Sequence, residues 1–421
     1  MERHLVGAPV RDMRLGRTVE DRDWVVVGST PEQMLADGFG QVGADFPVFL
    51  HPETNEEYAL ARREHKTGEG YLGFTSDFGT DVTLLEDLGQ RDLTVNSMAM
   101  QKLTESEFAI DTDTNDNWAF FDPYGGLEDL EAKVLRHTSD AFAEDPVRVL
   151  RLARFRARLG PEWTVAPETV AMVSKMAKSG VLNELVSERV WKETRRALME
   201  PHARLFFDTL LETDALHVIF PEVYKLKTAL EARRWHPEGD AYEHTMLVLT
   251  AAVDFGYDLE TRFAALVHDF GKGLTPRAAL PKHYGHEVTG VAVVESFANR
   301  LSVPSNMRNR AMKTTRFHMH MHKLDSLNPK TFVKMFTEMD AWRNPEVVDL
   351  LLRVGECDER GRLGCENVDV QHLQKLKKVF DQAKRVKFAE VFSKGETDGE
   401  KIKGGMYRAR IQVVSEINKD D

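Results

Sequence analysis

Near Ala141 the spacing of apolar residues changes, and that change restricts the chain to a mixed sheet domain followed by helices. Before it, short Val-, Phe- and Leu-rich runs such as 24–27 and 46–50 are broken by Gly, Pro, Asp and Asn, the pattern of strands joined by turns. After it, apolar residues recur every three or four positions, as in Val147, Leu150, Phe155 and Leu159, then Val190, Leu198 and Phe206, which is the helical period. The expected class is α+β: an α/β head over 1–140, a helical neck over 141–225, a His-rich helical domain over 226–365 and a charged helical tail over 366–421. Pro221 and the stretch 233–239 mark the boundary near 225–240. With 421 residues the chain exceeds what one hydrophobic core usually serves, so several domains are expected.

Composition narrows the function classes. No run approaches the ~20 apolar residues of a membrane span, and Met1-Glu2-Arg3-His4 leads straight into a strand-like stretch, so a soluble cytoplasmic protein without a membrane partner is expected. Cys357 and Cys365 are too few for a disulfide framework and lack a zinc spacing. A net charge of -12 argues against a nucleic-acid partner on a simple count. Two basic clusters soften that reading: Arg148, Arg151, Arg154, Arg156 and Arg158, and the run Lys375, Lys377, Lys378, Lys384, Arg385 and Lys387. The second reads as a solvated helix face. Any nucleic acid would then be held in a local basic groove, with binding that weakens as salt rises.

Chemistry concentrates in the head. Asp21-Arg22-Asp23 precedes Trp24-Val25-Val26-Val27, and if 21–27 is a strand the two carboxylates share one face and can share Mg²⁺. Alone, such a pair is better explained by turn-flanking aspartates that hold no metal. Upstream, Gly7-Ala8-Pro9-Val10-Arg11-Asp12 offers backbone N–H groups and Arg11 to a triphosphate. Glu57, in a second strand-like run, offers a third carboxylate or a solvated strand face. In Arg91-Asp92-Leu93-Thr94-Val95-Asn96, Arg91 can pair with phosphate while Asp92 and Asn96 hydrogen-bond a ribose; a capped helix start is the alternative. In 144–151, Asp145 reads as the N-cap of a helix with Pro146 in its first turn, and Asp145, Arg148 and Arg151 fall near one face. Cytosine and adenine both show an exocyclic amine beside an unprotonated ring nitrogen, so a carboxylate next to a guanidinium suits either base and refuses guanine and uracil.

These constellations, with Glu188-Arg189-Val190-Trp191-Lys192-Glu193 after them, resemble through nearly the whole chain the class II CCA-adding tRNA nucleotidyltransferases, relatives of bacterial poly(A) polymerases. The closest form is the bacterial multifunctional type with an HD phosphohydrolase domain. The resemblance implies addition of C, C and A to the 3′ end of tRNA from CTP and ATP, by a monomer or weak homo-oligomer. It implies that Asp21 and Asp23 hold Mg²⁺, that Gly7, Ala8 and Arg11 bind triphosphate, that Arg91, Arg148 and Arg151 contact the nucleotide, and that Asp145 and Arg148 read the base. The family usually has Gly-Gly-Ala-Val-Arg-Asp where this chain has Gly7-Ala8-Pro9-Val10-Arg11-Asp12, so a methyl group is added and an N–H lost near the phosphates, and weakened triphosphate binding is expected.

His244, His268, Asp269 and Asp358 supply mixed imidazole and carboxylate ligands for a transition metal. With His268-Asp269-Phe270-Gly271-Lys272-Gly273 and His283-Tyr284-Gly285-His286 they resemble the HD domain, which implies phosphatase, 2′-nucleotidase and 2′,3′-cyclic phosphodiesterase activities. By that likeness those four residues are the ligands of a divalent transition metal such as Ni²⁺, and Lys272, His283 and His286 lie near the phosphate. His318, His320 and His322 read as core or surface histidines. The alternatives are a poly(A) polymerase and a tRNA-binding protein with an impaired head.

Overall fold

The computed structural model describes residues 1–19, 21–42, 48–66, 74–102, 118–392 and 396–420. It divides into two compact units, Met1–Val186 with Leu205–Val218, and Ser187–Arg204 with Ile219–Asp421, so residues 141–225 are shared between them. Of the expected strand at 46–50, residues 46 and 47 lie outside the described residues.

The strands of the first unit are β1 (Glu2–Val6), β2 (Asp23–Val27), β3 (Gly40–Val42), β4 (Val48–Leu50), β5 (Glu57–Leu60), β6 (Arg63–Lys66), β7 (Phe74–Asp77), β8 (Ala99–Lys102) and β9 (Trp118–Phe121). Among the described residues seven of them form one sheet in the order β3-β4-β5-β2-β1-β8-β9, in which β2 and β5 run parallel and the other neighbours antiparallel. The apolar run in β2 follows from its central place. Val25 packs with Val6, Ala61, Leu88 and Ala99, while Val26, pointing the other way, packs with Met34, Phe49, Tyr58 and Leu60. The strand begins at Asp23, not Asp21: Asp21 and Arg22 precede it without regular structure, so strand alternation does not carry the pairing of the two carboxylates.

Five helices position the head's chemistry: α1 (Ala8–Arg14), α2 (Pro31–Ala36), α3 (Leu84–Gly89), α4 (Gly126–Ala132) and α5 (Val147–Leu159). Asp145 is extended, Pro146 already has helical dihedrals, and the Asp145 carboxylate accepts the Val147 N–H at 3.1 Å. Asp145 therefore caps α5. The helix ends at Gly160, whose φ of 121° few other residues adopt. Its arginines are not a free basic face. Arg154 is buried, and Arg156 donates to the Trp163 carbonyl at 3.1 Å and pairs with Glu212.

The second unit is helical among its described residues. The helix Leu259–Val267 is buried on every side from Thr261 to Val267 and packs against the helices Ala241–Asp254, Ser305–Phe317 and Glu346–Arg360. After it, Gly271 lies so close to the helix His286–Arg300 that an added Cβ would sit 2.0 Å from the His286 carbonyl oxygen and 2.8 Å from the Gly290 nitrogen. Backbone cannot yield as a flexible side chain can. Gly271→Ala is expected to destabilise this unit by about 3 kcal/mol, the upper end for overpacking, read as a lowered urea midpoint. The tail is charged on one side only: Leu376, Val379, Phe380, Ala383 and Val414 are buried with Phe332, Phe336 and Met339. Each large side chain buried there contributes about 1.5–3 kcal/mol.

Candidate active sites

The first site lies where β1 ends and β2 begins. Asp23 opens β2 opposite Glu57 on parallel β5, and neighbours in register project from the same face of a sheet. The Asp23 carboxyl is held above the usual carboxylate range by partial desolvation first and by Glu57 next, with Arg91 opposing and Asp21 adding to the rise. A carboxylate raised by two others is a place that favours a hard cation, and the oxygen-only donor set fits Mg²⁺. Gly7 turns the chain from β1 into α1 with φ 76°, and a Cβ there would meet the Arg91 guanidinium at 3.1 Å. Arg91, held by Asp87 at 3.1 Å, thus lies over the glycine turn. Pro9 sits in the first turn of α1, where a helix leaves its N–H groups unpaired, so the proline costs the helix nothing.

Three residues expected to contact the nucleotide, Arg11, Asp92 and Asn96, are bonded to one another within the fold. Arg11 is fully buried; it pairs with Asp12 at 2.9 Å, donates to Asn96 Oδ1 at 2.6 Å and stacks on Phe155. Asn96 in turn donates to Asp92 at 3.1 Å, and Asp92 accepts from the Leu93 N–H at 2.9 Å and from Arg151 at 2.7 Å. Asp92 and Asn96 are both buried. The run Asp12, Arg11, Asn96, Asp92, Arg151 instead joins α1, the 3₁₀ turn Thr94–Asn96 and α5. Arg148 is buried and held by the Ala141 carbonyl at 2.7 Å.

This run sets an acid limit on the head. Burial alone would raise the Asp92 carboxyl, but Arg151 and Asn96 outweigh it and bring it down to about 2. A carboxyl depressed by folding stabilises above its unfolded value near 4 and loses that contribution as pH falls toward 2. The shift corresponds to about 2 kcal/mol. Denaturant unfolding of the native protein between pH 5 and pH 2 is expected to show that loss, and Asp92→Asn to lack it because the stability is already gone at neutral pH.

The second site forms in the helical unit from four histidines and two aspartates. Nδ1–H of His244 donates to Glu238 at 3.1 Å, that of His268 to the Ala265 carbonyl at 2.7 Å, that of His286 to the His283 carbonyl at 2.7 Å, and that of His318 to the Thr315 carbonyl at 2.8 Å. This fixes the tautomer in each ring and leaves the Nε2 lone pairs pointing inward. They meet two carboxylates. His244 Nε2 lies 3.1 Å from Asp358 and His268 Nε2 3.2 Å from Asp269, while the second Asp269 oxygen lies 3.2 Å from His286 and 3.4 Å from His318. Two donor triplets result, His244-His268-Asp358 and Asp269-His286-His318.

All six side chains are buried, and His244 Nε2, His268 Nε2 and one Asp269 oxygen lack any hydrogen-bond partner. Inward lone pairs with nothing to bond are what a cation would satisfy, and mixed nitrogen and oxygen donors fit a transition metal. Burial would raise Asp269 and Asp358, yet both carboxyls are held well below the usual range, Asp269 chiefly by Lys272 and Asp358 chiefly by His322. Lys272 Nζ lies 2.6 Å from Asp269 and also pairs with Glu231.

His283, expected near the phosphate, lies outside the two donor triplets and is bonded to neighbouring loops. Its Nε2–H donates to the Leu230 carbonyl at 3.1 Å and its Nδ1 accepts from the Thr275 hydroxyl at 2.7 Å, so both ring nitrogens are spent pinning two loops together. His318 was missed by sequence reasoning because nothing separates it there from His320 and His322. Glu238 was missed because 233–239 reads as a boundary, although its carboxylate orients His244 and accepts from His236 at 2.9 Å.

Comparison with known proteins follows the same division. Residues 3–136 match the family model described as Poly A polymerase head domain, 163–226 the one described as Probable RNA and SrmB-binding site of polymerase A, and 241–352 the HD domain. Among solved structures, a CCA-adding enzyme in its apo form II superposes with a TM-score of 0.67 at 18% identity, over 98% of this chain and 88% of that one. The chain has the fold of the CCA-adding enzymes, with an HD domain. A CCA-adding enzyme in complex with ATP superposes on this fold at 0.63 and 15% identity, over 99% of this chain and 88% of the other. The Bacillus stearothermophilus CCA-adding enzyme in complex with CTP does so at 0.60 and 20%, over 99% and 89%. Within this CCA-adding fold, no described helix is long and apolar enough to cross a membrane.

Proposed function

We propose that the chain adds C, C and A to the 3′ end of tRNA from CTP and ATP without a nucleic-acid template, and that its HD centre hydrolyses phosphate esters. The carrying observation is the group Asp23, Glu57 and Asp21 beside Arg91 and the Gly7 turn, in a CCA-adding fold. Asp21 and Asp23, with Glu57 beside them, would hold Mg²⁺, which when bound offsets the charge that grows on the departing pyrophosphate. Arg91 meets the phosphates, and the Gly7-Ala8 turn lays its backbone against them. Asp145 accepts the exocyclic amine of cytosine or adenine while Arg148, steadied by Ala141, donates to the adjoining ring nitrogen. Arg151 is held by Asp92 within reach of the same helix face.

For the HD centre the supporting observation is the set of four inward Nε2 lone pairs on two carboxylates. His244, His268, Asp269 and Asp358 would hold a divalent transition metal such as Ni²⁺, and His286 and His318 extend the donor set on the other Asp269 oxygen. A bound metal would polarise a phosphate ester and activate water. Lys272 stands beside the Asp269 carboxylate, where it balances its charge.

A tRNA transcript lacking its last three nucleotides, incubated with Mg²⁺ and each triphosphate alone and together, tests the first activity by sequencing of product ends. Ordered addition of C, C and A is expected. A run of A would make the head a poly(A) polymerase, and no extension with intact tRNA binding would make the chain a tRNA-binding protein.

A further inference from the structure

Two loops that carry neighbours of the HD centre, Glu238 beside His244 and His286 beside Asp269, also carry aromatic side chains that the protein leaves in water. Trp235 is 62% exposed and Tyr284 85% exposed. Aromatic rings bury well, and an indole kept in solvent beside a polar centre gives up that gain unless something else covers it. Trp235 stands at the tip of a loop closed at its base by the Leu230–Asp240 bridge and by the Glu231 N–H donating to the Gly239 carbonyl at 3.0 Å. The next residue, His236, has its ring 4.7 Å from that of His244. Tyr284 lies two residues before His286, and its neighbour His283 bonds the Leu230 carbonyl, which ties the tyrosine loop to the base of the tryptophan loop.

Both rings have cationic company. The Arg234 guanidinium lies 4.9 Å from the Trp235 ring centroid, and Lys282 Nζ lies 6.0 Å from that of Tyr284. Exposed Arg233 adds a third positive charge to this lip, on a chain whose net charge is -12. An aromatic face backed by a guanidinium is a platform for a nucleobase, and the cations favour the attached phosphate.

Resting on the phosphohydrolase reading above, we propose that Trp235 and Tyr284 form a base-stacking subsite, so that the HD centre takes the phosphate of a nucleotide or of a single-stranded RNA end in preference to a phosphate ester without a base. The rings hold the base outside the centre while the phosphate reaches the histidine and aspartate donors. Both residues determine specificity and neither takes part in bond breaking.

The test compares adenosine 2′-monophosphate with glycerol 2-phosphate on the full chain and on Trp235→Ala, Tyr284→Ala and Trp235→Phe. Loss of one stacking face is expected to raise KM for the nucleotide about tenfold with kcat unchanged, to leave glycerol 2-phosphate unaffected, and to be rescued by Trp235→Phe. Calorimetric binding of adenosine 2′-monophosphate to chelator-treated protein reads the same subsite without turnover, and should weaken in both alanine variants. Equal effects on the two esters, or nucleotide binding untouched by either alanine, would overturn the subsite. A native protein that hydrolyses neither ester would overturn the phosphohydrolase reading, and the binding measurement would then decide the subsite by itself.

Discussion

Asp23→Asn is expected to slow nucleotide addition on the order of 10³-fold, since a metal's stabilisation of transition-state charge is worth several kcal/mol and each 1.4 kcal/mol is tenfold. The substitution keeps the shape and removes the charge. Asp23 is exposed at the start of β2, so the melting temperature should stay where it is. Single-turnover addition of CTP to a tRNA ending before its last three nucleotides separates a slowed step from weakened tRNA binding. Asp23 is the more telling position than Asp21 because β2 begins with it and the sheet register sets Glu57 beside it. A rate within tenfold of the native protein would remove Asp23 from the site.

His268→Ala is expected to abolish phosphate-ester hydrolysis and to lower the bound transition metal found by elemental analysis, with addition of C, C and A unchanged. His268 contributes an Nε2 without any partner, buried among Asp269, His244 and His318. The centre belongs to the second compact unit and Asp23 to the first, so the two chemistries rest on separate cores. His268→Asn, which keeps more of the volume, guards against an effect of the cavity alone. Loss of nucleotide addition in both variants would mean that the two centres are not independent.

Much of this architecture was legible because it depends on local pattern. The central β2 reads as a continuous apolar run since both of its faces are covered, and the cap of α5 reads from Asp145 and Pro146 since the N–H to be satisfied is two residues away. What failed depended on burial at long range. Arg11 beside a glycine turn has the look of a phosphate ligand, and only the fold shows that Asn96, 85 positions on, occupies its guanidinium. The same long-range burial encloses Asp92 and Asn96. Among the histidines, His268, His286 and His318 each bond the carbonyl three residues before them, which turns Nε2 inward, whereas His283 spends both nitrogens on other loops. The sequence spells these residues alike. Their roles follow from helix ends and loop contacts that no spacing encodes.

The hydrogen-bonded run from Asp12 to Arg151 also bears on what a mutation in α5 can change. Arg151 ties α5 to Asp92, and through Asn96 and Arg11 to α1 behind the glycine turn, so replacing it is expected to loosen that turn along with α5. Asp145 also caps its own helix, its carboxylate accepting the Val147 N–H at 3.1 Å. Position 151 is thus constrained by what lies behind it in the fold, whatever it meets on its open side.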